Sequence, residues 1–206
     1  MDKAMKDRLK YLFAVLLLLL LMPFTSCVKY SQNAMGFNYE DSKEWGKVVT
    51  RELPLPTFAA IETSGAVRVV LTQDSNPSVR VYGNEKCIDA YDIEVHSNEL
   101  NVSLKDHAGQ LSKQTPSVIV YVSVPAMEEI ELSGAGELYI QGSMVQDADM
   151  KIRVNGSGKV EMDTLRIRNL DMVFSGAAEL NISEAVVAED AKIKVNGAGN
   201  ITANVF

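Results

Sequence analysis

Apolar and polar residues alternate between Ile130 and Ala203 in four copies of one motif. It reads IELSGAGELYI from Ile130, IRVNGSGKVEM from Ile152, MVFSGAAELNI from Met172 and IKVNGAGNITA from Ile193. Four and two residues before each central glycine stand Ile130/Leu132, Ile152/Val154, Met172/Phe174 and Ile193/Val195. Four and six residues after it stand Leu138/Ile140, Val160/Met162, Leu180/Ile182 and Ile201/Ala203. A period of two on both sides predicts a pair of short strands, each burying one face. The glycines between them, Gly134, Gly156, Gly176 and Gly197, recur at intervals of 22, 20 and 21 residues. A near-constant interval with constant phase marks a repeat architecture. Glycine suits the corner because it accepts a positive φ or a close backbone approach. A second corner is expected seven residues earlier, at Asp149, Asn169 and Asp190, where Asx residues tolerate the left-handed region and bond to nearby backbone. The expected fold is all-β, a solenoid of parallel-stacked coils of about 21 residues.

The outward positions support stacking separately. Five residues before the glycine come Glu129, Lys151, Asp171 and Lys192; three after it come Glu137, Lys159, Glu179 and Asn200. Coils stacked about 4.8 Å apart turn each set into a column of neighbours in which like charges repel. Signs alternate through the whole first column and the first three members of the second. The column three before the glycine, Glu131, Arg153, Val173 and Lys194, follows the rule less well.

The N-terminal half is less regular. PTFAAIETSGAVRVVLTQ holds two alternating stretches around Gly65, making SGAV a divergent relative of the later corners. Ser78–Asn84 reads as a short strand closed by a Gly-Asn turn. YDIEVHSNELNVSLKD reads as a hairpin turning at Ser97-Asn98, and Ser117–Pro125 as another strand. His107–Pro116 is polar and aperiodic, hence a loop. Residues 53–125 are therefore expected to form a β part that caps the coils of 126–206 on their N-terminal side. The final coil carries Val195, Ile201, Val205 and Phe206, and nothing follows in the sequence to cover it. Self-association through this coil, the leader folding back, or a partner would each bury it; self-association needs no other molecule.

The first 27 residues change the cellular address. Lys3, Lys6, Arg8 and Lys10 precede an unbroken apolar run, Leu12–Met22, too short to span a bilayer comfortably. Residues 1–26 therefore read as a signal peptide. The ending Phe-Thr-Ser-Cys resembles a bacterial lipobox, which makes Cys27 the lipidation site and the membrane a partner through that anchor; Phe24 stands where an aliphatic residue is usual. Residues 27–52 then read as a lipidated cysteine and tether, with Trp45 pinning the tether to the fold. The expected address is the cell envelope, lipid-anchored at the outer membrane; no acidic run follows Cys27, which leans towards the periplasmic over the surface-facing side. With Cys27 acylated, Cys87 has no partner for an intramolecular disulfide and reads as a small buried thiol.

Composition narrows the functions. A net charge of −7 argues against a nucleic-acid partner, and 7% aromatics suit thin coils of small residues better than an aromatic-lined pocket. Parallel β-helices can carry paired carboxylates, which makes Glu131, Glu137, Glu161, Asp163 and Glu179 the residues to weigh. Several of them face Lys or Arg in the adjacent coil, which lowers a carboxylate pKa where an acid catalyst needs it raised. His96 and His107 have no metal-ligand spacing, and no nucleophile motif or phosphate loop occurs. No catalytic, metal or cofactor residue is assigned.

The run from TFAAIETSGAVRVVLTQ through VRVYGNE, IEVHSNELNV, VYVSVPAMEEIELSGAGELYI and the later G-[AS]-G corners resembles the putative auto-transporter adhesin, head GIN domain family, over about Val48–Phe206. The resemblance implies a right-handed β-helix-like fold in cell-envelope lipoproteins, common in Bacteroidetes, with no catalytic residues to carry over. Family members usually continue with a further glycine coil, where this sequence ends at ITANVF. Two functions follow as expectations. One is a non-catalytic adhesive or scaffolding module presenting its surface to glycan or protein. The other is a carbohydrate-active enzyme with a site among the N-terminal loops.

The lipobox reading predicts that Cys27→Ala abolishes membrane retention and leaves the folding of residues 53–206 intact. Detergent partitioning and acyl labelling check this, and unchanged partitioning contradicts it.

Overall fold

The computed structural model describes residues 40–41, 43–105 and 117–206. The signal peptide, Cys27, the tether up to residue 39 and His107 lie outside them. Glu40–Phe206 is one compact unit. Its strands are β1 (Val48–Leu53), β2 (Ala60–Gln73), β3 (Ser78–Asn84), β4 (Tyr91–His96), β5 (Glu99–Leu104), β6 (Ser117–Val124), β7 (Glu129–Gly134), β8 (Glu137–Val145) and β9 (Met150–Val205), with one short helix, α1 (Glu85–Asp89).

The result is an all-β fold with a mixed sheet in which the parallel strands stack row upon row. β2 pairs in parallel with β7 (Ile61↔Ile130, Thr63↔Leu132, Gly65↔Gly134) and with β8 (Val69↔Leu138, Leu71↔Ile140). β7 and β8 pair in turn with the start of β9 (Gly134↔Gly156, Leu138↔Val160). Gly65 therefore heads the glycine column, as its SGAV context predicts. β9 remains extended for 56 residues while bending at Gly156, Gly176 and Gly197. Its last segment still lies in register on the one before: Phe206 N–H donates to Ala185 O at 2.8 Å, and Val187 N–H to Phe206 O at 3.0 Å.

The alternation fixes the interior. Ile130, Leu132, Ile152, Val154, Met172 and Phe174 are all buried, as are Leu138, Ile140, Val160, Met162, Leu180 and Ile182. In the last row the same columns open: Ile193 and Val195 are half-buried and Ile201 is exposed.

The corner glycines are required by contact as well as by φ. Gly156 and Gly176 have φ of 131° and 125°, and a Cβ at either would lie 2.3 or 2.2 Å from the carbonyl oxygen of Gly134 or Gly156 respectively. No side chain fits there. Between Ile140 and Ser143 the β8–β9 register slips at a bulge where Gly142 has φ 73°, and Asp163 accepts the Gly142 N–H at 2.8 Å. This extra residue falls within the longest of the glycine intervals.

Beyond β2, parallel pairing continues for one strand and then reverses. β5 (Ile61↔Leu100) and β6 (Val69↔Val120) run parallel to β2. β4 pairs antiparallel with β5, β3 with β6, and β1 with β3. The β4–β5 turn is at Ser97-Asn98, as expected, with φ of 50° and 69°.

Three local expectations are corrected. Residues 48–52, expected within the tether, belong to strand β1, while Trp45 packs against the core as expected. The buried Asn84 amide explains the attachment, donating to Glu40 O at 2.9 Å and Gly46 O at 3.0 Å. Gly83-Asn84 is not a turn: β3 runs on, and Asn84 opens α1, whose Cys87 is buried as expected. The Asx corners do not use the left-handed region, since Asp149, Asn169 and Asp190 all have negative φ. They bond from row to row instead. Asn169 donates to Asp149 Oδ1 at 2.9 Å and accepts from the Asp190 N–H at 3.0 Å.

Gly176→Ala should cost roughly 3–5 kcal/mol, because a carbonyl of the neighbouring row must move. Gly142→Ala, with open space around its Cβ, should cost only the left-handed backbone penalty of about 1–2 kcal/mol. Urea midpoints compare them, and equal shifts contradict a packing role for the corner.

Candidate functional site

The outward ladders place the charged residues. Arg68, at the position of the column three after Gly65, donates through Nε to Glu137 Oε2 at 2.6 Å and stacks on the Tyr139 ring. Lys159 lies on Glu161 at 2.6 Å and near Glu179 at 3.8 Å. The hydrogen bond that Lys159 donates to Glu161, more than the surrounding charge, holds its ammonium above the ordinary pKa. The alternating column therefore reads Arg68, Glu137, Lys159, Glu179, beginning one row earlier than the repeat itself reveals. In the first outward column, Glu129 pairs diagonally with Arg153.

Two concavities lie on this surface. One, of about 480 Å³, follows the corner: its floor is Ala135, Ser157, Gly158, Ala177, Ala178, Ala198 and Gly199, and its wall Glu137, Lys159, Glu179 and Asn200. The other, of about 390 Å³, lies beneath the Ser97-Asn98 turn against Glu99, Glu128, Glu129, Asp149, Lys151 and Arg168. There Arg168 Nε donates to Asp149 Oδ1 at 2.9 Å. Hydrogen bonds from Asn169 and then Arg168 hold Asp149 below the ordinary carboxylate range.

The carboxylates weighed as catalysts have structural partners. Glu131 accepts from Asn155 at 2.9 Å, Glu137 from Arg68, Glu161 from Lys159, Asp163 from the Gly142 N–H, and Glu179 from Asn181 at 3.0 Å. Glu161 and Glu179 meet at the same Lys159 ammonium, which lies between their charges. The structure also joins Glu62 and Glu99, which the sequence separates between β2 and β5. Burial first, then the Glu62, Glu129 and Glu131 charges, and a hydrogen bond with Glu62 push Glu99 above the usual carboxylate range. Nothing in the repeat signals this pair, because it depends on the parallel β2–β5 register. His96 is exposed and lies 2.9 Å from Glu94, and among the described residues no group of His, Cys, Asp and Glu is arranged to hold a metal.

The model of the family described as "Putative auto-transporter adhesin, head GIN domain" matches residues 57–206. The chain belongs to this family. Among solved structures, a protein of Parabacteroides distasonis ATCC 8503 described as a putative lipid binding protein is similar with a TM-score of 0.51 and 14% identity, over 82% of this chain and 96% of that one. A putative adhesin of Bacteroides fragilis NCTC 9343 gives a TM-score of 0.49 at 13% identity, over 81% of this chain and all of its own, covered at 100%. No curated protein sequence matches the chain. At such identity the first likeness concerns the fold alone. Membership of the family accords with the expectation drawn from the G-[AS]-G corners.

Glu99 holds its proton more tightly folded than unfolded, so the folded state gains stability as pH falls through the raised pKa and loses it as pH rises above. Glu99→Gln should raise the melting temperature at about pH 7 and reduce the gain seen on acidification to about pH 5. A variant melting lower than wild type at neutral pH contradicts this.

Proposed function

We propose that this GIN-domain protein is a non-catalytic adhesive or scaffolding module of the cell envelope. In this reading the lipid on Cys27 anchors it to a membrane, with the outer membrane favoured, and the folded unit offers glycan or protein a rigid surface. The rows form a right-handed β-solenoid of about 21-residue coils, a reading supported by the glycine column and by the parallel registers on either side of it.

The corner groove is the observation that carries the proposal. Small residues keep its floor open, while Glu137, Lys159, Glu179 and Asn200 repeat along its wall at the row spacing. Such a surface meets an extended ligand with donors and acceptors at regular steps and makes no demand for a reactive group. The contrasting reading, a carbohydrate-active enzyme, draws on the raised pKa of Glu99 beside Glu62, and the Arg68 and Lys159 partners of Glu137 and Glu161 weigh against it.

Immobilised glycans and envelope proteins, presented to the full chain, test the reading. Saturable binding without turnover is expected, weakened about tenfold or more by Lys159→Glu, which reverses the middle of the groove wall. Depolymerisation of any polysaccharide in the panel, or binding indifferent to Lys159→Glu, contradicts it.

A further inference from the structure

The outward charge of the rows changes sign as the stack proceeds. Glu129, Glu131 and Glu137 are followed by Lys151, Arg153 and Lys159, then by Asp171 and Glu179, then by Lys192 and Lys194. The final row thus leaves the alternation on its basic side. Both lysines are exposed, and among the described residues neither has an ion-pair partner within reach. Ile193 and Val195, between and beyond them, continue the inward columns but are only half-buried, whereas Met172 and Phe174 in the preceding row are 0% and 1% exposed.

The opposite end of the same columns is β4. Its Ile93 and Val95 lie across from Val102 and Leu100 of β5, which in turn overlie Thr63 and Ile61 of β2. They too are half-buried, and the residues between and beside them, Asp92 and Glu94, are exposed and acidic. Among the described residues no strand pairs with the far edge of β4. The Lys192–Asn196 stretch is therefore basic, after the exposed Glu189 and Asp190, and Asp92–Glu94 is acidic, with His96 at 2.9 Å from Glu94; both half-expose the same apolar columns.

The geometry points to an interface between copies of this chain in which the Lys192–Asn196 strand of one pairs with the outer edge of β4 of the next. β4 runs antiparallel to the rows, so the new pair is antiparallel as well. In the matching register Lys194 lies opposite Glu94, Ile193 opposite Val95, and Val195 opposite Ile93. Backbone groups of two edges become paired, two apolar columns close on each other, and the sign alternation continues into the next molecule. Beyond β2 the other column has three strands, β6, β3 and β1, against two here, so β1 projects one strand further than β4. The copies must therefore meet with an offset or tilt, and only the Lys192–Asn196 segment pairs. The two surfaces differ, so the contact is head-to-tail and adds copies without closing a symmetric pair.

Sedimentation velocity on the full-length chain in detergent, over the micromolar range, tests this. The wild type should associate in a concentration-dependent series. Glu94→Lys or Lys194→Glu alone should weaken association at least tenfold, and the double reversal should restore it. Both side chains are exposed, and the restoring double variant separates a lost contact from a lost fold, as does an unchanged melting temperature of each single variant. A wild type that remains monomeric throughout overturns the proposal. So does association that ignores both reversals, or that Phe206→Asp abolishes while Glu94→Lys leaves it intact.

Discussion

The close approach of backbone at the glycine corners governs this fold. A Cβ at Gly197 would stand 2.0 Å from the carbonyl oxygen of Gly176, and the same obstruction recurs at Gly176 and Gly156. Because the rows touch through backbone there, each chain segment is held directly on the one before. The strands flanking each corner are thereby placed in register, and their inward residues fall into continuous columns. The phase of burial, the alternation of charge and the groove along the corner all follow from that contact. Thr63 is the exception within a column: its buried hydroxyl sits where other rows put Val102, Leu132, Val154 and Phe174, and among the described residues its Oγ1 has no hydrogen-bond partner. A single hydroxyl of that kind costs about 1–3 kcal/mol, a cost the surrounding columns absorb.

Much of this was legible in the sequence, because a repeat compares the chain with itself. The inward columns from Ile130 to Ile182, the glycine phase and the Ser97-Asn98 turn could be read without a structure. Relations between segments that do not resemble each other could not. β1 is a short edge strand with polar residues on both sides, so its alternation in VVTREL is weak, and the Asn84 amide that ties residues 40–46 down is remote in sequence. Arg68 belongs to the charged column, yet its row lacks a second glycine two residues after Gly65, and the repeat signal fades there. The Glu62–Glu99 pair needed the β2–β5 register. At the Asx corners the residue type was right and its physics was different: side chains bridge rows while the backbone stays at negative φ.

The same ladder has two consequences for function. Within the stack it sets opposite charges against each other between rows, apart from the half-buried Glu99, which lies beside another carboxylate. At the surface it provides a regular series of charges on a stiff base, which suits recognition of something extended. Family membership places the chain among proteins described as putative adhesins.

The account depends most on β2 joining the N-terminal strands to the glycine rows as one structure. Native-state hydrogen exchange measures this directly. Amides of β2, β6, β7 and the β9 rows through Ile182 should share one opening free energy, equal to that of global unfolding, with lower protection confined to Lys192–Val205 and the outer edges. Separate opening of residues 126–206 while β2 and β6 remain protected would contradict it.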